Sequence, residues 1–334
     1  MRQLPALALL IASPLLAQAP HSDFRVILPK GPGAITVHVG DGWQVHELHL
    51  YPDGPRASLF ITNDQLKLEA SYLMFANDTT GPNSEACRKA VVGPVIDGVR
   101  KRHWDIRNLE ESTHTTPSGL KLAVTSYLVE QAEGQPVRQQ NVFAFIGDTH
   151  NCAEIHLSKV LYQPSDEKIF NAALDKFSYD ENYVPTSQDY GSMASVFFEA
   201  AHDPQSAASY YETALAALPD TGIAGYDGRT MRRVLTDQLS MSYGMAGDLK
   251  RSRAVNEAAI AKDPDYPLYY YNLACADAEA GDATAAKLHL QQAFDRRANT
   301  IKGETMPDPA KDDSILKLKK DKTFWAFVQS LPRS

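Results

Sequence analysis

The tripeptide Ala-Gly-Asp occurs at residues 246–248 and returns 34 residues later, at residues 280–282. Apolar residues on both sides of each copy follow a helical period. A fixed period of this length is typical of arrays of helix pairs, in which each pair buries its apolar face against the next. We therefore predict a stack of paired helices in the C-terminal half, with Gly247 and Gly281 in equivalent turns.

The residues around each turn form a regular pattern of large and small side chains, in which the small ones let neighbouring helices approach closely. Around Gly247 the pattern is Leu239, Ser240, Tyr243, Ser252, Ala259 and Pro264; around Gly281 it is Tyr270, Leu273, Ala274, Ala286, Leu290 and Ala293. This pattern resembles that of the tetratricopeptide repeat (TPR) family. The resemblance covers residues 188–331, and we assign residues 188–334 to an all-α TPR domain.

Two features depart from the regular TPR pattern, and a third covers the end of the array. A first copy, from Ala194 to Pro219, lacks the turn glycine and is followed by an insertion near TGIAGYDGR. Asn256 stands where the family usually has an aromatic residue or leucine, and Asp277 where it has tyrosine. A tail with an apolar helix face resembles the closing segment of TPR arrays, which covers the last repeat; its residues are Phe324, Trp325, Phe327, Val328 and Leu331.

The TPR resemblance implies a right-handed helical stack whose inner groove holds a peptide or a partner protein. By the family pattern, the groove positions are Asp237, Gln238, Met241, Met245, Tyr271, Asn272, Cys275 and Glu279. Methionine and tyrosine suit an apolar, adaptable ligand. The alternative is that these residues pack against the N-terminal domain or the insertion. Family members that hold a C-terminal carboxylate use Lys and Arg, and these positions offer neither.

The N-terminal part, residues 22–180, has the period of two that is typical of strands, for example at Ile35, Val37 and Val39. Turn signals at hairpin spacing predict antiparallel pairing. One helix is expected to begin near Ser84 and to be broken or restarted at Gly93 and Pro94. A second helix is expected to begin at a capping Ser165 and to bury one stripe; that stripe is Ile169, Phe170, Ala173, Leu174 and Phe177.

This order of strands, helix, strands and helix predicts an α+β layered sandwich, an antiparallel sheet with two helices. Together with Trp43 in an early DGW and a closing LDKF, the order resembles the PsbP-like fold, whose bacterial members include exported DcrB-like domains. The resemblance brings no catalytic residue with it. Residues 181–187, ENYVPTS, are predicted to link this domain to the helical array.

The first nineteen residues carry one basic residue, an apolar run and the sequence Ala17-Gln18-Ala19, as a secretory signal peptide does. Cleavage after Ala17 stays open, because a cut after Ala19 would leave Pro20 at the new terminus. No cysteine for a lipid anchor stands near the cut, and no later segment is apolar enough to cross a bilayer. We expect a periplasmic or secreted protein, of undetermined oligomeric state.

The cysteine content limits the possible disulfides, and the net charge argues against nucleic-acid binding. In an oxidising compartment, one disulfide between Cys87 and Cys152 and a buried Cys275 is one arrangement; three free buried cysteines is the other. The net charge is −8, with 33 basic and 41 acidic residues, which gives no general attraction to nucleic acid.

One stretch, DTHNCAEIH, contains residue types that bind zinc or copper. On a strand its alternate residues can share one face; they are Asp148, His150, Cys152, Glu154 and His156. Because Gly147-Asp148 is a turn signal, we expect the strand to begin near Asn151. Ala153, Ile155 and Leu157 would then be its buried side, with Glu154 and His156 on an ordinary polar face.

Sequence motifs give no support to an enzyme. The HELH stretch, with His46 and His49, is not the HExxH pair of a metalloprotease, and no nucleophile elbow, phosphate-binding glycine loop or C-x-x-C occurs. We therefore expect no cofactor and a non-enzymatic protein that binds a peptide or partner protein. In the alternative hypothesis the N-terminal domain binds a metal or small ligand, or hydrolyses a substrate, and the repeats only position it.

Overall fold

The structure, a computed structural model, describes residues 24–37, 42–51, 56–76, 83–199, 201–223 and 225–332. The predicted signal peptide, Val39 and the residues before Phe24 lie outside this part of the chain. The described residues form two compact units: the first comprises residues 24–185 with a short piece at 199–202, and the helical unit comprises residues 186–198 and 203–332.

The first unit contains a three-stranded and a seven-stranded antiparallel sheet, with strand orders β1-β2-β10 and β3-β4-β5-β9-β8-β7-β6. The strands are β1 (Phe24–Val26), β2 (Ala34–Val37), β3 (Trp43–Tyr51), β4 (Arg56–Asn63), β5 (Leu68–Ala76), β6 (Ile106–Thr115), β7 (Lys121–Ala132), β8 (Gln135–Gly147), β9 (Asn151–Lys159) and β10 (Ser178–Asp180). All pairings are antiparallel, as the hairpin-spaced turns predict.

Helices cover the seven-stranded sheet on both faces, which confirms the α+β prediction in its coarse form. Helix α1 (Ser84–Lys101) packs over β7, β8 and β9. Helix α2 (Glu167–Asp175) and the three-stranded sheet lie on the other face, where the ring of Phe177, just after α2, stacks on Tyr72 of β5. The two sheets are linked by Asn151, which donates to the carbonyl of Pro32 at 2.8 Å.

Helix α1 is continuous, and the predicted break at Gly93 and Pro94 is wrong. Pro94 lies inside the helix. Both residues are exposed, so water can satisfy the carbonyl that the missing N–H of Pro94 leaves without a partner. The helix begins at Asn83, whose side chain accepts the N–H of Ala86 at 2.9 Å.

Helix α2 begins differently from the prediction. Ser165 does not cap it; a short 3-10 turn precedes the helix, and the N–H of Gln163 donates to the carboxylate of Asp166 at 2.9 Å. Phe170 and Leu174 are the buried residues of α2, within the predicted stripe.

The disulfide between Cys87 and Cys152 is formed, as predicted. It joins the first turn of α1 to the second residue of β9, and both cysteines are buried in the core between the helix and the sheet. The two cysteines are 65 residues apart in sequence, so the bond closes a long loop and restricts the unfolded chain strongly.

The helical unit consists of consecutive helix pairs followed by two shorter helices. The helices are α3 (Ser187–Glu199), α4 (Pro204–Ala216), α5 (Gly228–Met245), α6 (Leu249–Lys262), α7 (Pro267–Glu279), α8 (Ala283–Asp295), α9 (Asp313–Leu316) and α10 (Lys322–Ser330). Each helix from α4 to α7 packs against the next, and α5 also contacts α7. None of the helices in the described part of the chain is long and apolar enough to cross a membrane.

The two Ala-Gly-Asp turns are equivalent. Gly247 and Gly281 have φ of 81° and 79°, values that favour glycine. The following aspartate closes the same backbone bond in each turn: the N–H of Asp248 reaches the carbonyl of Tyr243 at 2.9 Å, and that of Asp282 reaches the carbonyl of Asp277 at 2.9 Å. This is a Schellman motif. The same aspartates then cap α6 and α8.

The turn between α3 and α4 has no glycine, and another residue takes the left-handed conformation. His202 takes the left-handed conformation with φ of 52°, and the N–H of Asp203 reaches the carbonyl of Phe197 at 2.9 Å. Asp203 then caps α4, as the other two aspartates cap their helices. The turn of the first repeat is therefore one residue longer than the two glycine turns, and a strained histidine takes the place of glycine.

Asn256 and Asp277, the two residues that depart from the TPR pattern, both belong to buried hydrogen-bond networks. Asn256 donates to Ser240 at 2.5 Å and to the carbonyl of Ser252 at 2.9 Å, which joins α5 to α6. Asp277 on α7 is paired with Arg253 on α6 and with His289 on α8. Both residues therefore replace apolar packing with hydrogen bonds between neighbouring helices.

Candidate functional site

Helices α5 and α7 carry the eight residues that the repeat pattern assigns to a partner groove. Four lie on α5 and four at the equivalent positions of α7, and the contact between α5 and α7 brings the two sets together. The α5 set is Asp237, Gln238, Met241 and Met245; the α7 set is Tyr271, Asn272, Cys275 and Glu279.

Asp237 and Asn272 connect the two helices directly. The Nδ2 atom of Asn272 donates to Oδ1 of Asp237 at 2.7 Å, and the carboxyl is buried. Burial raises the pKa of Asp237 to about 7, although the bond from Asn272 acts in the opposite direction. These two residues therefore fix the spacing of α5 and α7 and are not free for a partner.

Tyr271 and Cys275 are engaged by the C-terminal segment of the chain. The hydroxyl of Tyr271 donates to Oδ2 of Asp312 at 3.1 Å, and the thiol of Cys275 lies 3.8 Å from both carboxylate oxygens of Asp312. Asp312 also caps α9. Burial raises the pKa of the Cys275 thiol, and the nearby Asp312 carboxylate adds to that effect.

Glu279 is also engaged by this segment. Its carboxylate accepts from Ser314 at 2.8 Å and pairs with Lys317. Burial raises the pKa of Glu279, but the bonds from Lys317 and Ser314 outweigh it, so the pKa is lowered overall. The groove side of α7 is therefore occupied by residues 301–318, which we call the covering segment.

Apolar anchors hold the covering segment in place. Ile315 is fully buried and Met306 nearly so, both in the core cluster that contains the aromatic residues of α7. Tyr266, just before α7, donates to Glu304 at 2.7 Å. The covering segment is thus an integral part of the helical unit, together with α10, which packs on α8.

Three of the predicted groove residues remain accessible. Gln238 and Met241 are half-buried, and Met245 is 65% exposed. Their side chains make no hydrogen bond to any residue that the structure describes. The accessible part of the predicted groove is therefore the side of α5 that corresponds to the covered side of α7. Its exposed groups are the thioethers of two methionines and the amide of one glutamine, and none of them is charged.

The residues of the predicted metal row have other roles in the structure. Cys152 is in the disulfide, and the carboxylate of Asp148 accepts the hydroxyl of Tyr179 and the N–H of Asn151. His150 precedes β9, which begins at Asn151 as predicted. In the described residues, no three histidine, cysteine or acidic side chains are grouped to hold a metal.

The prediction that Glu154 and His156 form an ordinary polar face is wrong. Glu154 is 4% exposed, and its Oε2 atom has no partner in the described structure. The ring of His156 stacks on Phe143, with centroids 3.8 Å apart, and Nε2 contacts Asn141 at 3.2 Å. Both faces of β9 are buried, because α1 packs over this side of the sheet.

Burial sets the protonation of both residues. It raises the pKa of Glu154 to about 8 and lowers the pKa of His156 to about 4, because each charged form would lose its hydration. At neutral pH this part of the sheet is therefore uncharged, with a protonated carboxyl and a neutral imidazole.

His46 lies on β3, an edge strand of the same sheet. Its Nε2 atom lies 2.5 Å from the hydroxyl of Thr62 on the neighbouring strand.

Sequence reasoning missed Asp312, Ser314 and Lys317, which bind the groove side of α7. They lie in a polar stretch whose long-range contacts follow no local period. The run Asp312-Asp313-Ser314 before an apolar residue was a signal for a helix start, which is what Asp312 provides.

Neither a protein-family model nor a curated protein matches the sequence. Among solved structures, the chain is similar to the Sgt2 TPR domain from Aspergillus fumigatus, with 17% identity, a TM-score of 0.31, and coverage of 45% of this chain and 87% of that one. It is also similar to a multi-domain immunophilin from Arabidopsis thaliana, with 8% identity, a TM-score of 0.28, and coverage of 74% and 96%. Scores this low support no functional conclusion, so the TPR-like character of the helical unit rests on its turns and helix pairs.

Proposed function

We propose that this protein is an exported, non-enzymatic binding protein whose helical unit holds an extended segment of a partner protein. The binding surface consists of Gln238, Met241 and Met245 on α5. The observation that carries the proposal is the difference between equivalent positions. Cys275 and Glu279 on α7 hold a segment of the same chain, whereas Met241 and Met245 at the equivalent positions of α5 are accessible.

The covering segment illustrates what this side of a repeat can bind. On α7 a tyrosine, a thiol and a carboxylate hold the polar groups of Asp312, Ser314 and Lys317. On α5 the corresponding residues are Asp237, whose carboxyl is held by Asn272, and the two methionines Met241 and Met245, so the partner segment that fits there is apolar and neutral. Methionine supports such binding because its flexible, polarisable side chain adapts to different surfaces.

Two features support export. The first nineteen residues have the composition of a signal peptide. The disulfide between Cys87 and Cys152 is of the kind that persists in oxidising compartments.

The proposal is tested by placing a photo-crosslinking amino acid at position 241 and illuminating cells that export the protein. We expect a crosslinked partner at Met241 and none at Leu288, a matched control on α8 that is 56% exposed. Met241→Ala combined with Met245→Ala should then weaken binding of that purified partner about tenfold or more.

Equal crosslinking at positions 241 and 288, or unchanged affinity of the double variant, would rule out this surface. Leu288→Ala serves as the control for affinity, because it removes a comparable exposed apolar side chain from the second helix of a pair.

A further inference from the structure

Strand β6 is an edge of the seven-stranded sheet and pairs with β7 on one side. Residues 107–113 are exposed on both faces of the strand. No other strand in the described part of the chain pairs with its outer edge, so backbone N–H and C=O groups are presented there. Such an edge is a template for a further antiparallel strand.

The first part of β6 is protected against pairing, but the second part is regular. A bulge interrupts the register with β7 between Arg107 and Glu110, and Asn108 has φ of 51°. From Glu110 to Thr115 every residue has a partner on β7 without interruption. The segment that can accept another strand is therefore residues 110–115.

We propose that the edge of β6 pairs with the same edge of a second copy of this chain, antiparallel and centred on Ser112. A two-fold axis through the centre places equivalent residues opposite each other. Centring on Glu110 or Glu111 would put two carboxylates face to face, which is unfavourable. Centring on Thr113 would bring Thr116, which is buried and outside the strand, opposite Glu110.

The register centred on Ser112 gives complementary pairs. Glu110 lies opposite His114 of the second copy on one face, and Glu111 lies opposite Thr113 of the second copy on the other. Within its own chain, His114 uses Nε2 to contact Asp175 at 2.9 Å, which leaves Nδ1 for a second carboxylate. Glu111 pairs with Arg88 at 2.8 Å, so its charge is already compensated within one copy.

The pairing is expected to be weak. Five residues on each side bury much less surface than a stable interface of about 1,600 Å². We therefore expect a dimer that dissociates on dilution and that brings two helical units together. This inference depends on the first unit alone and does not rest on the proposed binding function.

The experiment is sedimentation of the full chain over a range of concentrations, together with oxidation of single-cysteine additions. In the proposed register, the two copies of Ser112→Cys have Cα atoms about 5 Å apart, within disulfide range. Thr113→Cys is the matched control, because its two copies are about 8 Å apart, too far for a disulfide. We expect a disulfide-linked dimer from the first variant and little from the second.

A third variant tests the pairing without a crosslink. Ser112→Lys places two ammonium groups opposite each other and should weaken the dimer about fivefold or more, whereas Ser112→Thr should not. A chain that sediments as a monomer at every concentration would overturn the inference. So would equal crosslinking of the 112 and 113 variants, or a dimer that Ser112→Lys leaves unchanged.

Discussion

The Nδ1 atom of His289 on α8 lies 2.5 Å from the Oδ2 atom of Asp277 on α7. The other oxygen of the same carboxylate pairs with Arg253 on α6. One buried aspartate therefore connects three consecutive helices, at a position where the TPR pattern has tyrosine.

Removal of Asp277 is expected to destabilise the helical unit. Asp277→Ala leaves Arg253 and His289 without their shared partner and should lower the free energy of unfolding by about 3 kcal/mol at neutral pH, measured with urea. Burial raises the pKa of Asp277, but the bonds from His289 and Arg253 lower it by a larger amount, so the pKa is lowered overall. The stabilisation is therefore present above the pKa of the unfolded chain and is lost as the pH falls through the folded value.

Glu257→Ala is the matched control for Asp277. Glu257 is an exposed partner of Arg253 at 3.7 Å, so its loss should change stability by less than about 0.5 kcal/mol. A similar cost for both variants would contradict a special role for the buried carboxylate.

Glu154 is expected to make the first unit less stable at alkaline pH. Because its folded pKa is raised to about 8, the folded state holds a proton that the unfolded state releases above its ordinary value of 4.5. His156, whose pKa is lowered to about 4, contributes the opposite slope below its ordinary value of 6.5. Stability should therefore fall as the pH rises from about 6.5 to 8 and then level off. In Glu154→Gln that slope should disappear, as thermal unfolding between pH 5 and pH 9 will show.

Glu181→Gln provides the control for this slope, since Glu181 is exposed in the turn after β10. Its pH profile should match that of the unchanged protein. A slope that survives in Glu154→Gln would show that another group is responsible.

His202 is expected to be a site where glycine stabilises the protein. It is exposed and held at φ of 52°, a conformation that costs a residue with a Cβ atom about 1 kcal/mol or more. His202→Gly should raise the free energy of unfolding by about 0.5 kcal/mol, because relief of strain exceeds the added entropy of the unfolded chain. In contrast, Ala258→Gly within α6 should cost about 1 kcal/mol; loss of stability in both variants would argue against strain at His202.

Cys275 is expected to be an unreactive thiol as long as the covering segment stays in place. Burial raises its pKa, and Asp312 lies beside it. With Ellman's reagent at pH 8, Cys275 should react on the order of 100-fold more slowly than a cysteine at position 288 in a Leu288→Cys, Cys275→Ser protein.

Asp312→Ala should increase the reactivity of Cys275, because it removes the cap of α9 and the bond to Tyr271. Rapid reaction of Cys275 in the unchanged protein would show that the covering segment opens readily.

The turns of the helical unit could be predicted because their signals are local. A glycine that must adopt positive φ and an aspartate that caps the next helix are adjacent in sequence, and the 34-residue period repeats them. The networks around Asn256 and Asp277 could not be foreseen, because their partners lie on other helices. The covering segment was missed for the same reason, as Asp312 meets Tyr271 only after the chain turns back on α7.

In the first unit, alternation predicted which residues of β9 share a side but not what covers that side. Glu154 and His156 do alternate with Ala153 and Ile155, yet α1 crosses over them, and the position of α1 depends on contacts distant in sequence. Pro94 was overestimated as a helix breaker because its exposure could not be known. The PsbP-like resemblance of this unit, the limits of the linker and the signal peptide stay predictions.

Both Ala-Gly-Asp turns are closed by the same backbone hydrogen bonds. The stretch from Gly247 to Ala280 therefore begins and ends at equivalent points of the backbone. A gene duplication of these 34 codons would add one helix pair and return the chain to the geometry it had before the insertion. One of the two copies of α7 would lack an imidazole like that of His289 for its aspartate, since Val255 occupies that position on α6, and it would also lack the covering segment. Array length in this protein is therefore open to change by simple copying, with the C-terminal cap carried along unchanged.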